Sequence, residues 1–166
     1  MHQTVKIILN FIVLLVVQIL ILNNIQLFGV VNPYLYVLVI ISLPVAMSQS
    51  LMMLIAFLLG LIIDVFGNSY GIHTAATVLV AFLRPYIMGL FASREDMEQK
   101  YPSYRNFGMS FYKYAALMVV IHHFTLFSIE AFSFAHEGVV LLKTLCSSAV
   151  TMMLIIGIHS INFKRR

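Results

Sequence analysis

Charge is scarce in this sequence. Asp, Glu, Lys and Arg make up 10% of its 166 residues, against about 25% in soluble domains. With 61% hydrophobic residues and a mean hydropathy of +0.99, that scarcity excludes a water-soluble globule and leaves a polytopic membrane protein. The single cysteine, Cys146, lies inside an apolar run, which excludes an intramolecular disulfide. There is no Gly-rich phosphate loop, G-x-S-x-G elbow, H-E-x-x-H pair or Cys/His set at zinc spacing. The sequence therefore offers no positive evidence for an enzyme, and no cofactor is expected. The net charge of +4 forms no basic stripe, so nucleic acid is not an expected partner. No small-x-small cleavage site follows the first apolar run, which reads as an uncleaved span.

What is present is a series of apolar runs. They predict an all-α membrane protein with one polytopic domain over residues 1–166 and six transmembrane helices. The spans fall at about 7–22, 34–47, 51–66, 72–91, 114–129 and 139–158, with an aqueous cytoplasmic loop at 93–113. One helix from Tyr34 to Phe66 would be about 50 Å long. A bilayer core is about 30 Å thick, so this stretch divides at Met47–Ser50. Pro33 sits where a helix start tolerates proline, and Pro44 should kink or stop the second span. The residue before a proline is pushed out of the α region. The fourth helix is therefore expected to end or break at Arg84, leaving Tyr86–Phe91 near the interface. The other reading is a continuous kinked helix.

In the first span, Asn10 and Gln18 share a face and should seek partners on another helix. In the aqueous loop, Ser93 and Asp96 form a capping-box pattern, and Pro102 ends the short helix it starts. Tyr101, Tyr104, Phe107, Phe111, Tyr112 and Tyr114 suit a loop lying on the membrane surface. The basic residues orient the chain. Lys6, the 94–113 loop and Lys164–Arg166 fall on one side of six spans. The opposite loops, 23–33, 67–71 and 130–138, contain no Lys or Arg. This positive-inside pattern places both termini in the cytoplasm.

The chain is organised around the stretch 56–85, two apolar runs joined by Gly67-Asn68-Ser69-Tyr70-Gly71. The first run ends on Asp64 and the second on Arg84. A carboxylate within a membrane segment is a functional candidate by default, so Asp64 could be a proton or ligand site. Alternatively it accepts hydrogen bonds from Asn68, Ser69, the turn backbone or a neighbouring helix. If hydrogen bonding is its role, Asp64→Asn should be tolerated. Ala56, Gly60 and Asp64 share a face on which small residues would admit a close helix neighbour. His73, at the start of the next span, would face the Asp64 region. Arg84 is placed at the cytoplasmic boundary with its stem snorkelling outward. His122 and His123 are adjacent on one helix, so their rings diverge and do not chelate one ion. They are expected to bond partner helices. Lys143 would pair with Glu137 or Glu130, or snorkel outward.

The run GLIIDVFGNSYGIHTAA resembles the signature of the bacterial rod shape-determining MreD family, with Gly60, Asp64, Gly67 and Gly71 at the matching positions. Asn32-Pro33, a short span ending at Pro44, the chain length, the six spans and the basic tail fit the same family. The resemblance covers nearly the whole chain, but only Asn32–Leu83 is motif-like. It implies a non-enzymatic scaffold of the cell-wall elongation machinery in the bacterial inner membrane. The implied partners are an MreC-like single-span protein, a RodA-type polymerase, a penicillin-binding transpeptidase and MreB. The implied fold is similar to the substrate-binding subunits of energy-coupling-factor transporters, which makes a vitamin-type small-molecule binder the alternative function. Gly60, Asp64, Gly67, Gly71, His73 and Arg84 are the partner-binding or structural candidates.

Overall fold

The computed structural model describes residues 3–25, 29–131 and 137–164. The side chains of Lys6, Asn10 and Lys164, the residues Arg165 and Arg166, and most of the 130–138 loop lie outside the described residues, and so do the expectations placed on them. The helices are α1 Gln3–Leu20, α2 Val37–Ile41, α3 Gln49–Gly67, α4 Ile72–Phe91, α5 Arg94–Met97, α6 Tyr104–Phe107, α7 Met109–Ala131 and α8 Glu137–Lys164. Four of them, α3, α4, α7 and α8, are long and apolar enough to cross a membrane. They pack in sequence, α3 on α4, α4 on α7 and α7 on α8, and α1 touches α3. Leu54, Phe57, Leu58, Leu61 and Val65 leave one side of α3 apolar and exposed. In a bilayer such a face meets lipid tails or another helix rather than water.

The second predicted span is not a helix of spanning length. It is an irregular segment around the five-residue α2, and Tyr34–Ile41 are all buried. Pro33 does not start the helix; α2 begins four residues later, and the Pro33 carbonyl accepts from the Gln18 amide at 3.2 Å. A helix this short satisfies few of its own backbone groups, and buried orphans cost free energy. The surrounding elements supply the missing partners. At the N-terminal side, Gln18 Oε1 of α1 accepts the Leu35 amide at 2.7 Å and the Tyr36 amide at 3.3 Å. From α8, Ser147 Oγ accepts the Asn32 amide at 3.0 Å and Thr151 Oγ1 accepts the Tyr34 amide at 3.3 Å. Non-helical backbone at membrane depth is tolerated only under such cover. Gln18 thus meets the central segment rather than another long helix.

The segment runs along α4. Its start lies beside His73 in the first turn of α4, and its end lies beside Arg84, eleven positions further. At about 1.5 Å per residue those points are roughly 16 Å apart. Beyond them, the Val45 amide donates to the Lys100 carbonyl of the 93–108 loop at 3.2 Å.

α4 does not break at Arg84. It is continuous over Ile72–Phe91 with Pro85 inside it. Proline leaves the carbonyl four residues earlier without its helical donor, and membrane helices accept this where neighbours re-satisfy the loosened turn. Here that carbonyl is Ala81's, and the Gln49 side chain donates to the carbonyl next to it, that of Phe82, at 3.2 Å.

In the loop, the Ser93–Asp96 capping box is formed in both directions. The aromatics divide. Phe107, Phe111 and Tyr114 are buried in the core, while Tyr104 stacks on Tyr112 with ring centroids 5.0 Å apart. Lys143 pairs with Glu130 at 3.5 Å, joining the end of α7 to the start of α8.

Candidate functional site

The α3–α4 turn is built from left-handed backbone. Asn68, with φ 52°, closes α3, and Gly71, with φ 89°, opens α4. Gly71 has nothing within 4 Å of a notional Cβ, so it is the backbone angle that calls for glycine. Gly67 is exposed, and a Cβ there would make only an ordinary contact, 3.4 Å from Ser69 Oγ. Tyr70, at the tip, also has positive φ, 52°, and is 94% exposed.

The tight turn brings Asp64 under the first turn of α4. Its Oδ1 accepts Ser69 Oγ at 2.6 Å and the His73 amide at 3.0 Å. Its Oδ2 accepts the Thr74 amide at 2.8 Å and Thr74 Oγ1 at 2.6 Å. Helices usually find such an N-terminal cap in the residue just before them. Gly71 holds that position here and has no side chain, so a carboxylate from the preceding helix takes the role. A negative charge is favoured there by the α4 dipole as well.

These four donors alter what is expected of the amide substitution. Two of them are backbone N–H groups, which cannot reverse, and they lie on different oxygens. Asn can present an oxygen to only one. Asp64→Asn should therefore orphan one amide and cost about 1–3 kcal/mol, with a larger loss for Asp64→Ala. Thermal melting of the purified protein in detergent checks this. A wild-type melting temperature in Asp64→Asn would show that the four bonds do not matter to stability.

Gly60 lies one helical turn before Asp64 on the same face and is buried. A Cβ at Gly60 would stand 2.5 Å from Thr74 Cα and 2.8 Å from Thr74 N. The small-residue face is therefore filled by α4 of the same chain and is not open to a partner helix. His73 contributes its backbone amide to Asp64, and its ring Nδ1 lies 2.9 Å from the Tyr36 hydroxyl.

Arg84 is not at the boundary and does not snorkel. It is 2% exposed and reaches the far end of α2. Its guanidinium donates to the carbonyls of Leu43 and Pro44, to Met52 Sδ, and through Nε to Tyr114 Oη at 3.0 Å. The Tyr114 hydroxyl in turn donates to the Ile41 carbonyl at 3.1 Å. Cations favour the C-terminal end of a helix, where carbonyls are unpaired. Thus Gly60, Asp64, His73 and Gly71 form one group at the turn, and Arg84 serves a separate one.

Sequence reasoning did not find Tyr36. Its hydroxyl lies 2.8 Å from His122 Nε2 as well as 2.9 Å from His73 Nδ1, tying three elements together. His123 points elsewhere: Nδ1 is 2.8 Å from the Val119 carbonyl and Nε2 is 3.3 Å from Thr151 Oγ1. A carbonyl only accepts, so the His123 proton is on Nδ1 and Nε2 accepts the Thr151 hydroxyl. Tyr34 packs against all three imidazoles and Phe127. Among the described residues no group of three or more His, Cys, Asp or Glu is arranged to hold a metal.

Comparison with known protein families, curated proteins and solved structures gives no match.

Proposed function

We propose that this chain is a membrane scaffold of the MreD type. In this reading it crosses the bacterial inner membrane six times, with both termini cytoplasmic. The segment 33–48 is the second crossing, interrupted by α2. The observation that carries the scaffold reading is the fate of the hairpin charges. Both oxygens of Asp64 are occupied by two donors each, and the Arg84 guanidinium is spent on the end of α2. These groups build the fold, which supports a non-enzymatic role. The exposed apolar side of α3, including Phe57, Leu58 and Leu61, is the surface offered to the transmembrane helix of an MreC-like partner. Lateral cell-wall elongation would then involve the polymerase, transpeptidase and MreB through that complex. A vitamin-type small-molecule binder that used Asp64 as a ligand group is less favoured, because both of its oxygens are already taken.

The test is site-directed cross-linking in cells of an Mre-containing rod. A cysteine at Leu58, in a background where Cys146 is serine, should cross-link to the single-span partner. A cysteine at Leu145, exposed on α8, should not. Equal labelling at both positions, or none at either while the protein is folded, would remove α3 as the docking face.

A further inference from the structure

Between Glu98 and Glu130 the sequence has no carboxylate, while the first part of that stretch, residues 99–113, carries Lys100, Arg105 and Lys113. Local structure gathers two of these cations into one place. Ser103 Oγ accepts the Asn106 amide at 3.3 Å and starts α6, and the Asn106 side chain donates to the Tyr101 carbonyl at 2.8 Å. Phe107 is buried and fixes α6 to the bundle. Gly108, with φ 55°, then turns the chain into α7. The turn lays Tyr104 of α6 on Tyr112 of α7, and the Tyr112 ring is 6.3 Å from that of His159 on α8. Arg105 and Lys113, the residues that follow the two tyrosines, are both exposed. So is Met109, at 63%, one helical turn before Lys113 on the same face.

The position of this surface decides what meets it. α7 is long and apolar enough to cross a membrane, and Met109–Lys113 lie in its first two turns. The beginning of a spanning helix stands at the level of the lipid headgroups. A neighbour there offers phosphate on one side and acyl chain on the other. The surface complements both, with Arg105 and Lys113 for the charge and Met109 for the chain. An acidic protein segment would match the cations but leave Met109 uncovered. We propose that Tyr104, Arg105, Met109, Tyr112 and Lys113 form a binding site for an anionic phospholipid in the leaflet beside the 93–108 loop. The Arg105 guanidinium takes the phosphate as a fork and the Lys113 ammonium as a point charge. The stacked tyrosines fill the interfacial depth between them, and Met109 meets the upper acyl chain. A positive-inside pattern requires only that the cations lie on this side of the membrane. The site requires more, since it uses two of the four exposed cations of the 94–113 stretch and not the others. Arg94 adjoins Glu95 and Asp96 in the sequence, and Lys100 lies over the Tyr101 ring, 5.5 Å from its centroid. The site needs no protein partner, so it stands apart from the scaffold reading.

The test is lipid binding by the full chain in non-ionic detergent, counted by native mass spectrometry with dioleoylphosphatidylglycerol or dioleoylphosphatidylcholine. The wild type should bind the anionic lipid more tightly. A cation at a membrane surface is worth about fivefold in binding anionic lipid. Arg105→Gln combined with Lys113→Gln should therefore weaken phosphatidylglycerol binding roughly thirtyfold. Arg94→Gln combined with Lys100→Gln removes the same charge and should leave it nearly unchanged. If the first double variant does not fold, Lys113→Gln alone decides, with an expected loss of about fivefold. Equal binding of the two lipids, equal loss in the two double variants, or no loss in Lys113→Gln would each overturn the site. Displacement of the lipid by glycerol phosphate would make it a site for a soluble anion. Capture of poly-glutamate in phosphatidylcholine nanodiscs, lost with Arg105 and Lys113, would assign it to an acidic protein segment. Either of these results overturns the lipid assignment.

Discussion

Gly60→Ala is expected to lower the melting temperature of the protein by several degrees, and Gly60→Leu to prevent the hairpin from closing. The added Cβ would lie 2.5 Å from Thr74 Cα, 2.8 Å from Thr74 N and 3.0 Å from the His73 carbonyl. Carbon atoms in contact normally stand about 3.5–4.0 Å apart. All three obstacles are backbone, so no rotamer change relieves them, and α3 must move about 1 Å away from α4. Overpacking of this kind costs about 1–3 kcal/mol. For a chain of this length each kcal/mol corresponds to roughly 2–4 °C. The damage should exceed the steric term, because Thr74 also provides two of the four donors to Asp64. Separating the helices loosens the cap that starts α4. Melting can be followed through the lone, half-buried Cys146 with a thiol-reactive dye. A Gly60→Ala protein that melts with the wild type would contradict the close contact. A partner-docking role for Gly60 predicts something different: normal melting with loss of the complex.

Arg84→Met should be about as damaging, for a different reason. Methionine keeps much of the apolar stem and the volume but removes every donor. The Leu43 carbonyl is then left without this donor, the Pro44 carbonyl keeps the Met47 amide, and Tyr114 Oη loses the Nε–H that donates to it. Each orphaned group costs roughly 1–3 kcal/mol. An opposing effect must be weighed: a buried guanidinium is expensive, and its removal recovers desolvation energy. That recovery prevails when both partners of a polar contact become apolar together, whereas removing one partner alone is strongly destabilising. The backbone carbonyls cannot be substituted, so the loss should win. Arg84→Lys should fall between, since one ammonium cannot match the fork of the guanidinium. The expected order of melting temperatures is wild type, then Lys, then Met. Hydrogen exchange localised to residues 37–48 should rise in the same order. Equal exchange in all three proteins would show that the cap does not hold α2.

The long helices were legible because hydropathy reports burial in lipid regardless of what lies between the spans. Asp64 was legible as a hydrogen-bonding group because Ser69 and the turn backbone are close in sequence. The Ser93–Asp96 cap was legible for the same local reason. The second span was not. Tyr34–Ile41 is as apolar as a transmembrane helix, and composition does not reveal that it forms five helical residues with irregular backbone on either side. Its caps come from Gln18, Tyr114, Ser147 and Thr151, far away along the chain. Arg84 was misplaced because the usual location for an arginine next to an apolar run is the interface. Only tertiary structure shows carbonyls waiting for it. Pro85 misled because the rule for the preceding residue derives from isolated backbone, while Gln49 supports the loosened turn. The adjacent histidines were correctly expected to diverge, but nothing local joins Tyr36 to both His73 and His122.

The dispersed caps of α2 have a consequence for biogenesis. The central segment is made early, yet its last acceptors, Ser147 and Thr151, are more than a hundred residues downstream. Contacts of such sequence separation form late. While the ribosome is still producing α7, residues 32–36 have no finished cover, and a chain halted there would hold an unsealed seam at its centre. Docking of α8 completes the assembly, so the C-terminal helix works as the closing piece of the bundle. A nascent chain lacking it should be the form that membrane quality-control proteases recognise.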